Sequence, residues 1–401
     1  MLAAFKEYPA FVRDNLRLLA FGCALIGLSS FGQSYVISLF APQFRSAFAM
    51  TDGEFAAWFA GVTLVSAVTF PWLGSRLTRN NERRFTLLSA LTLASAAFAI
   101  ALSPNIAIFL LGLYLARLGG QGLLVHASLT IPAARLPEAS GKAVGVVLIG
   151  LSLSQATLPT IAVSSILVLG WRATWALAAC SILLIAVAAV LLLPEEDGLP
   201  PHGHPRPQSG GLDQSVIRKI NWKVFFVLPA LFAESLAVSA LIFHQARLAE
   251  TKHWPLEWVA ACFVAYSSIQ IATTIIAGPL VDRFGPLRIV PFLLVPQAIA
   301  LLLIFLFSSW WIAPFYFGFT AISAGLDSSV QTPALARLFG VERLARSKAR
   351  FEGLRIILTG LGPTLMGVLL DLGVPIQTQI GFMIPGLCVF SLLALAFRRA
   401  V

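Results

Sequence analysis

Twelve runs of 19 to 29 residues, each dominated by apolar side chains, recur along this 401-residue chain. An apolar run of about 20 residues is long enough to cross a bilayer as a helix. Hydrocarbon offers backbone amides no water, so a crossing segment must satisfy its own hydrogen bonds, and a single run does so as a helix. The runs fall at 17–41, 54–76, 85–103, 106–134, 142–168 and 171–193, then at 223–247, 256–281, 287–308, 311–336, 347–370 and 379–397. Composition agrees: 11% of the residues are Asp, Glu, Lys or Arg, where soluble domains carry about 25%. Between the two sets of six, residues 194–221 hold five prolines, four glycines and charges of both signs. That stretch cannot bury enough apolar area to fold. The expectation is an all-α membrane protein of twelve transmembrane helices in two six-helix, pseudo-symmetric halves, 1–193 and 222–401, joined by a linker over 194–221.

The net charge of +10 would suggest a nucleic-acid partner if it covered one surface. It marks topology instead. Of 28 Lys and Arg residues, 22 lie in the termini, in the linker or at helix ends on one side, and four (Arg45, Arg172, Arg247, Lys252) lie on the other. Basic residues collect on the cytoplasmic side, so both termini and the linker are expected in the cytoplasm, with the chain multi-pass in the cell (inner) membrane. No nucleic acid is expected. Trp171, Trp222, Trp254, Trp258, Trp310 and Trp311 stand near helix ends, as interfacial belts require. All four cysteines (Cys23, Cys180, Cys262, Cys388) sit inside apolar runs, which excludes a disulfide framework or a zinc spacing. The first run is longer than a signal-peptide core and reads as a retained helix. The His202–His204 pair in the linker has too few ligands around it to hold a metal.

The halves repeat. Gly74-Ser-Arg-Leu-Thr-Arg79 follows the second run as Gly278-Pro-Leu-Val-Asp-Arg283 follows the eighth, at an offset of 204. Pro132-Ala-Ala-Arg-Leu136 and Pro333-Ala-Leu-Ala-Arg-Leu338 close the fourth and tenth at offsets of 201 to 202, and Lys142 and Lys348 open the fifth and eleventh at 206. Three matches at nearly one offset indicate a duplicated six-helix unit. Repeats around a central cavity are a transporter architecture, with substrate held near the midplane.

Gly278, Asp282, Arg283, Gly285 and Arg288 form the pattern Gly-x-x-x-Asp-Arg-x-Gly-x-x-Arg. With Arg117-Leu-Gly-Gly-Gln-Gly122 in the fourth run, it resembles the Major Facilitator Superfamily over essentially the whole chain. Gly170-Trp-Arg172 and Gly150 with Pro159 are weaker marks of the same kind. The resemblance implies alternating access and a cavity lined by helices 1, 4, 7 and 10, with 2, 5, 8 and 11 at the sides. The first-half loop departs from the family pattern: Thr78 stands where it has Asp, and Asn81 where it has Gly. Arg79 and the basic cluster around it (Arg76, Arg83, Arg84) are kept.

Ionisable side chains deep in apolar helices are costly, and each asks for a reason. Arg117 lies about 16 Å into the fourth helix and Arg355 about 15 Å into the eleventh, at about 1.5 Å per residue. A guanidinium offers a planar fork to a carboxylate; the alternative is a structural arginine tied to carbonyls or to an acid. Gln121 shares a helical face with Arg117. Glu234 and Asp327 are the deep acids, candidates for carrying a proton or gating, or for neutralising an arginine. Gln33 and Tyr35 in the first helix, and Tyr266 and Gln270 in the eighth, are candidate substrate contacts or interhelical hydrogen-bonding groups. His126 reads as a hydrogen-bonded packing group, and His244, near the outer end of the seventh helix, as a solvent-accessible side chain.

No phosphate-cradling loop and no metal-binding His/Glu pair is present in the sequence. The expectation is therefore no enzyme and no cofactor: a secondary transporter of a small organic anion, a carboxylate, driven by proton coupling or exchange. Arg117 and Arg355 would grip the anion from opposite halves. Its partners would be the small-molecule substrate, protons and the lipid bilayer, and the chain would be a monomer. The resemblance within the superfamily points to the oxalate/formate and monocarboxylate branch. A proton-coupled exporter of amphiphilic or cationic compounds is the alternative; a membrane sensor would need a signalling domain, for which the linker is too short.

Overall fold

The computed structural model describes residues 9–194, 224–340 and 344–399, and every regular element among them is helical. The linker, with His202 and His204, lies outside the described residues.

The first span is not one rod. Helix α1 (Leu16–Ser29) gives way at Gln33, whose backbone is extended (φ −87°, ψ 149°), to α2 (Ser34–Ile37) and α3 (Ala41–Phe48). The two arms meet at 47°. The second span, α4 (Asp52–Gly74), opens on a capping box in which Thr51 and Glu54 satisfy each other's backbone amides, groups that a helix start otherwise leaves unpaired. The third is α5 (Glu82–Leu102). The fourth begins as α6 (Ile106–Ala116), widens into a π-helical stretch over Arg117–Leu124, and resumes as α7 (Val125–Arg135). Gly120 lies in that stretch, and a β-carbon there would stand 2.7 Å from the Cα of Gly32. Two glycines thus let the break of the first span press against the widened turn of the fourth.

The fifth and sixth spans are one continuous run, α8 (Ser140–Leu192), divided at Gly170, whose φ of 77° no helical residue adopts. Arg172, two residues on, donates to the carbonyls of Ala101 and Ser103 at 2.9 and 3.0 Å and so closes the end of α5. After the linker come α9 (Val224–Phe243), a short α10 (Gln245–Lys252), α11 (Leu256–Phe284) and α12 (Pro286–Leu306). The last three spans are α13 (Ala313–Phe339), α14 (Leu344–Asp371) and α15 (Ile376–Arg399). The seventh run was expected to continue to 247; it ends at Phe243 because His244 leaves helical geometry (φ −93°, ψ 20°) and α10 starts afresh.

Large apolar side chains such as Val68, Leu184 and Phe382 face outward, 73% or more exposed. In lipid that exposure costs nothing. The interior of the first half is aromatic: Phe44 meets Phe109, Trp171 and Phe55 at centroid distances of 4.8 to 6.0 Å. Across the halves, α4 lies along α14, and α8 lies along α11. One end of the bundle carries Arg76, Arg84, Arg135, Lys142, Arg283 and Arg288 and is the basic end; Asp52, Glu250 and Asp371 mark the opposite end.

Candidate substrate cavity

Polar side chains buried in an apolar bundle must turn toward one another or toward water. Here many turn toward one space. A cavity of about 440 Å³ lies between the halves, walled by Gln33 and Tyr35 at the break of the first span, Gln155 of α8, Glu234 and Ser235 of α9, Tyr266 and Gln270 of α11, Asp327 and Gln331 of α13, and Lys348 and Arg355 of α14. A volume of that order suits a small molecule.

The charges in the wall are unequally engaged. The Arg355 guanidinium donates to Asp327 Oδ2 at 3.2 Å and approaches Glu352 Oε2 at 3.4 Å. Lys348 Nζ donates to the Thr332 hydroxyl at 3.1 Å. Glu234 is 5% exposed and receives only a long hydrogen bond, 3.5 Å, from the Ser235 hydroxyl. Among the described residues no cation lies within 4.0 Å of its carboxylate. Asp327 Oδ1, Gln331 Nε2 and the Tyr35 hydroxyl are buried without a hydrogen-bond partner. Buried polar groups are nearly always paired, so unpaired ones converging on one space indicate what a ligand or water would satisfy.

Sequence reasoning placed Glu234, Asp327, Arg355, Gln33, Tyr35, Tyr266 and Gln270 among the candidates, and all seven stand in this wall. It did not single out Gln155, Ser235 or Ser239; small polar residues in an apolar run look alike whichever way they point. Arg117 and Gln121 are elsewhere. Arg117 is 4% exposed, donates to the Gly32 carbonyl at 2.8 Å and to the Thr63 hydroxyl at 3.1 Å, and stacks over the Phe59 ring at 4.9 Å. The break at Gln33 explains it: leaving the helix strips the Gly32 carbonyl of its usual amide, and the guanidinium replaces that donor. Gln121 is exposed on the π-helical stretch. The expected pair of arginines facing each other across the cavity is therefore not the arrangement found; only Arg355 reaches it.

Beyond the cavity, the end opposite the basic one is closed by contacts between halves. Asp52 Oδ2 accepts from Arg45 at 2.6 Å and lies 3.7 Å from Arg247. Asp371 Oδ2 accepts from the Thr51 hydroxyl at 2.7 Å and from the Gly53 amide at 3.0 Å. Gln245 donates to the Tyr35 carbonyl and the Ser38 hydroxyl at 2.9 and 2.8 Å. Phe243 packs on Phe55 and Phe59 at 5.3 and 4.8 Å. His244, expected at an open helix end, is instead buried in this closure, with Nε2 2.9 Å from the Pro363 carbonyl. His126 packs, as expected, between the rings of Phe70 and Phe85.

The sequence profile of the Major Facilitator Superfamily matches residues 23–263 and 230–400. The chain belongs to that superfamily. Solved structures of the same fold cover nearly all of it. A bacterial homolog of the human lysosomal transporter Spinster, in an inward-facing and occupied conformation, is 17% identical, with TM-score 0.66 over 98% of this chain and 96% of its own. Nucleoside transporter NupG is 12% identical, with TM-score 0.69 over 96% and 98%. A POT family transporter in complex with 5-aminolevulinic acid is 13% identical, with TM-score 0.73 over 96% of each chain. At such identities the likeness is one of fold. No curated protein matches the sequence. As a superfamily member the chain is a membrane secondary transporter rather than an enzyme, and its substrate is a small molecule.

The superfamily's loop signature lies at the basic end. Gly278, Asp282 and Arg283 close α11, and Gly285 (φ 83°) turns the chain into α12. Asp282 and Arg283 are exposed. In the first half, Thr78 and Asn81 use their side chains locally: Asn81 Oδ1 accepts from the Thr78 amide and its Nδ2 donates to the Arg76 carbonyl, both at 2.8 Å. The residues that replace the usual Asp and Gly thus shape the turn around Arg79.

Proposed function

We propose that this transporter carries a small organic anion, a carboxylate, by alternating access, and that protons drive it through the Asp327–Arg355 pair. The observation that carries the reading is that pair: a guanidinium and a carboxylate 3.2 Å apart in the cavity wall, with Asp327 Oδ1 unpartnered. A proton entering on Asp327 removes the nearer of the two carboxylate charges that hold Arg355 and leaves the more exposed one of Glu352. The guanidinium then turns to the substrate carboxylate, for which it supplies two parallel donors. Deprotonation of Asp327 reclaims Arg355 and expels the anion, so one proton and one carboxylate move together. Gln33, Gln270 and Tyr266 orient the rest of the molecule. Arg117 acts in this scheme as the strut that fixes the break of the first span beside the cavity.

The positive-inside bias supports assigning the basic end to the cytoplasm. The closed end then faces outward, and the cavity reaches toward the cytoplasm as far as Lys348 and Thr332. Both termini and the linker lie in the cytoplasm, the membrane is the inner membrane, and the monomer is the transporting unit. Gly278, Asp282, Arg283 and Gly285, with Arg79, form the loops that move as the halves rock.

Uptake into proteoliposomes tests the scheme with radiolabelled carboxylates of two to six carbons, amino acids included, under an imposed proton gradient. The expected result is uptake abolished by a protonophore and by Arg355→Ala. Gradient-independent uptake, or full activity in Arg355→Ala, contradicts it. Transport of amines lacking a carboxylate would instead favour an exporter of cationic compounds.

A further inference from the structure

Two carboxylates face the cavity, and the scheme above occupies only one. Glu234 sits about 15 Å into α9, ten residues from its start at about 1.5 Å each. It is 5% exposed, opens on the cavity, and has no cation within 4.0 Å among the described residues. The cationic groups that face the space, Arg355 and Lys348, come from α14 and are held by Asp327, Glu352 and Thr332. The α9 wall offers only Ser235 to Glu234, and α11 offers Tyr266. A carboxylate taken out of water needs partners, and among the described residues the fold brings Glu234 one long hydrogen bond and no cation within 4.0 Å. The cavity thus has two poles: two cations on α14, and an acceptor on α9 that receives a single long hydrogen bond.

A ligand carrying a carboxylate alone satisfies the first pole and leaves the second unpaired. A ligand carrying a protonated amine as well satisfies both. We propose that the substrate is an amino-acid-like zwitterion whose ammonium is received by Glu234 while Arg355 and Lys348 receive its carboxylate. The inference rests on the carboxylate reading above and narrows it. It also separates the two acids by position: Asp327 is paired with Arg355, and Glu234 stands apart on α9, where it receives the substrate's second group. A site with a buried charge aimed at one substrate group discriminates strongly against analogues lacking that group, because the charge is then left unpaired.

The experiment compares matched sets with the purified full chain: the standard amino acids, the deaminated carboxylate of each aliphatic one, and the corresponding decarboxylated amine. Binding is read from thermal stabilisation and transport from uptake into proteoliposomes. At least one amino acid should bind and be transported, with its deaminated carboxylate at least tenfold weaker. In Glu234→Gln that gap should shrink to about threefold or less; Glu234→Asp should preserve the preference. Plain carboxylates that bind as well as amino acids, with Glu234→Gln without effect, would overturn the zwitterion inference and leave the carboxylate reading standing. Binding by amines alone, or by none of the three classes, would overturn both. Should Glu234→Gln fail to elute as a folded species, the wild-type comparison and Glu234→Asp decide the matter.

Discussion

Arg117 and Arg355 occupy similar depths in the two halves, yet their surroundings differ in kind. Around Arg117 every contact is neutral: a carbonyl, two hydroxyls and an aromatic face. Around Arg355 the partners are carboxylates, and its side chain is 33% exposed, against 4% for Arg117 as a whole residue. A guanidinium bound to a carbonyl has no titrating partner and so no reason to let go. One bound to carboxylates on a wet wall can be loosened by a proton on the nearer of them. The first region is built to hold a broken helix; the second is built to change.

The comparison can be broken most directly by removing each arginine. Arg355→Ala should reduce proton-driven uptake by a factor of about 100 or more, to the level of empty liposomes, while the protein still elutes as a folded species. Such a factor corresponds to about 2.7 kcal/mol. Asp327→Asn should come next: gradient-driven accumulation should fall about tenfold, whereas exchange of labelled for unlabelled substrate continues, because binding survives and coupling does not. If accumulation persists, Asp327 is not the proton site.

Arg117→Ala should act on stability instead. It leaves the Gly32 carbonyl buried without a donor, a loss of about 1–3 kcal/mol, visible as a lowered melting temperature with the substrate KM of the surviving protein little changed. A raised KM at unchanged stability would move Arg117 back into the binding machinery. The smallest effect belongs to the closed end. Asp371→Asn weakens the hydrogen bonds to Thr51 and Gly53, each worth about 1.5–3 kcal/mol at most for a charged acceptor. It should raise severalfold the modification rate of a cysteine placed at Ala56, which is fully buried under this closure with its carbonyl accepting from Thr364 of the other half. An unchanged rate would mean that the Phe55, Phe59 and Phe243 contacts alone keep that end shut.

Much of this molecule was legible in its sequence, for a definite reason. Spans are read from continuous apolar length, which depends on neighbours along the chain and on the solvent, both of which the sequence contains. Glu234, Asp327 and Arg355 stood out for the same reason: each is an expensive residue in an apolar run. The contacts of the closed end were hidden, since Asp52, Arg45 and Asp371 lie at helix ends where charge is ordinary. Their meaning comes from partners up to 320 positions away in the chain, as in the bond from Thr51 to Asp371.

Arg117 marks the boundary between the two kinds of knowledge. Its sequence signal was the same as that of Arg355, a cation half-way along an apolar helix. The sequence by itself determined the bilayer as solvent, the helical spans and the short roster of charges inside them, because insertion energetics act locally. Only the tertiary structure decided which charge faces the cavity. That choice turned on the extended backbone at Gln33, which freed a carbonyl for Arg117, and on α13 presenting Asp327 to Arg355. Both are contacts between different helices, 85 and 28 positions apart in the chain, and no local pattern of residues encodes them.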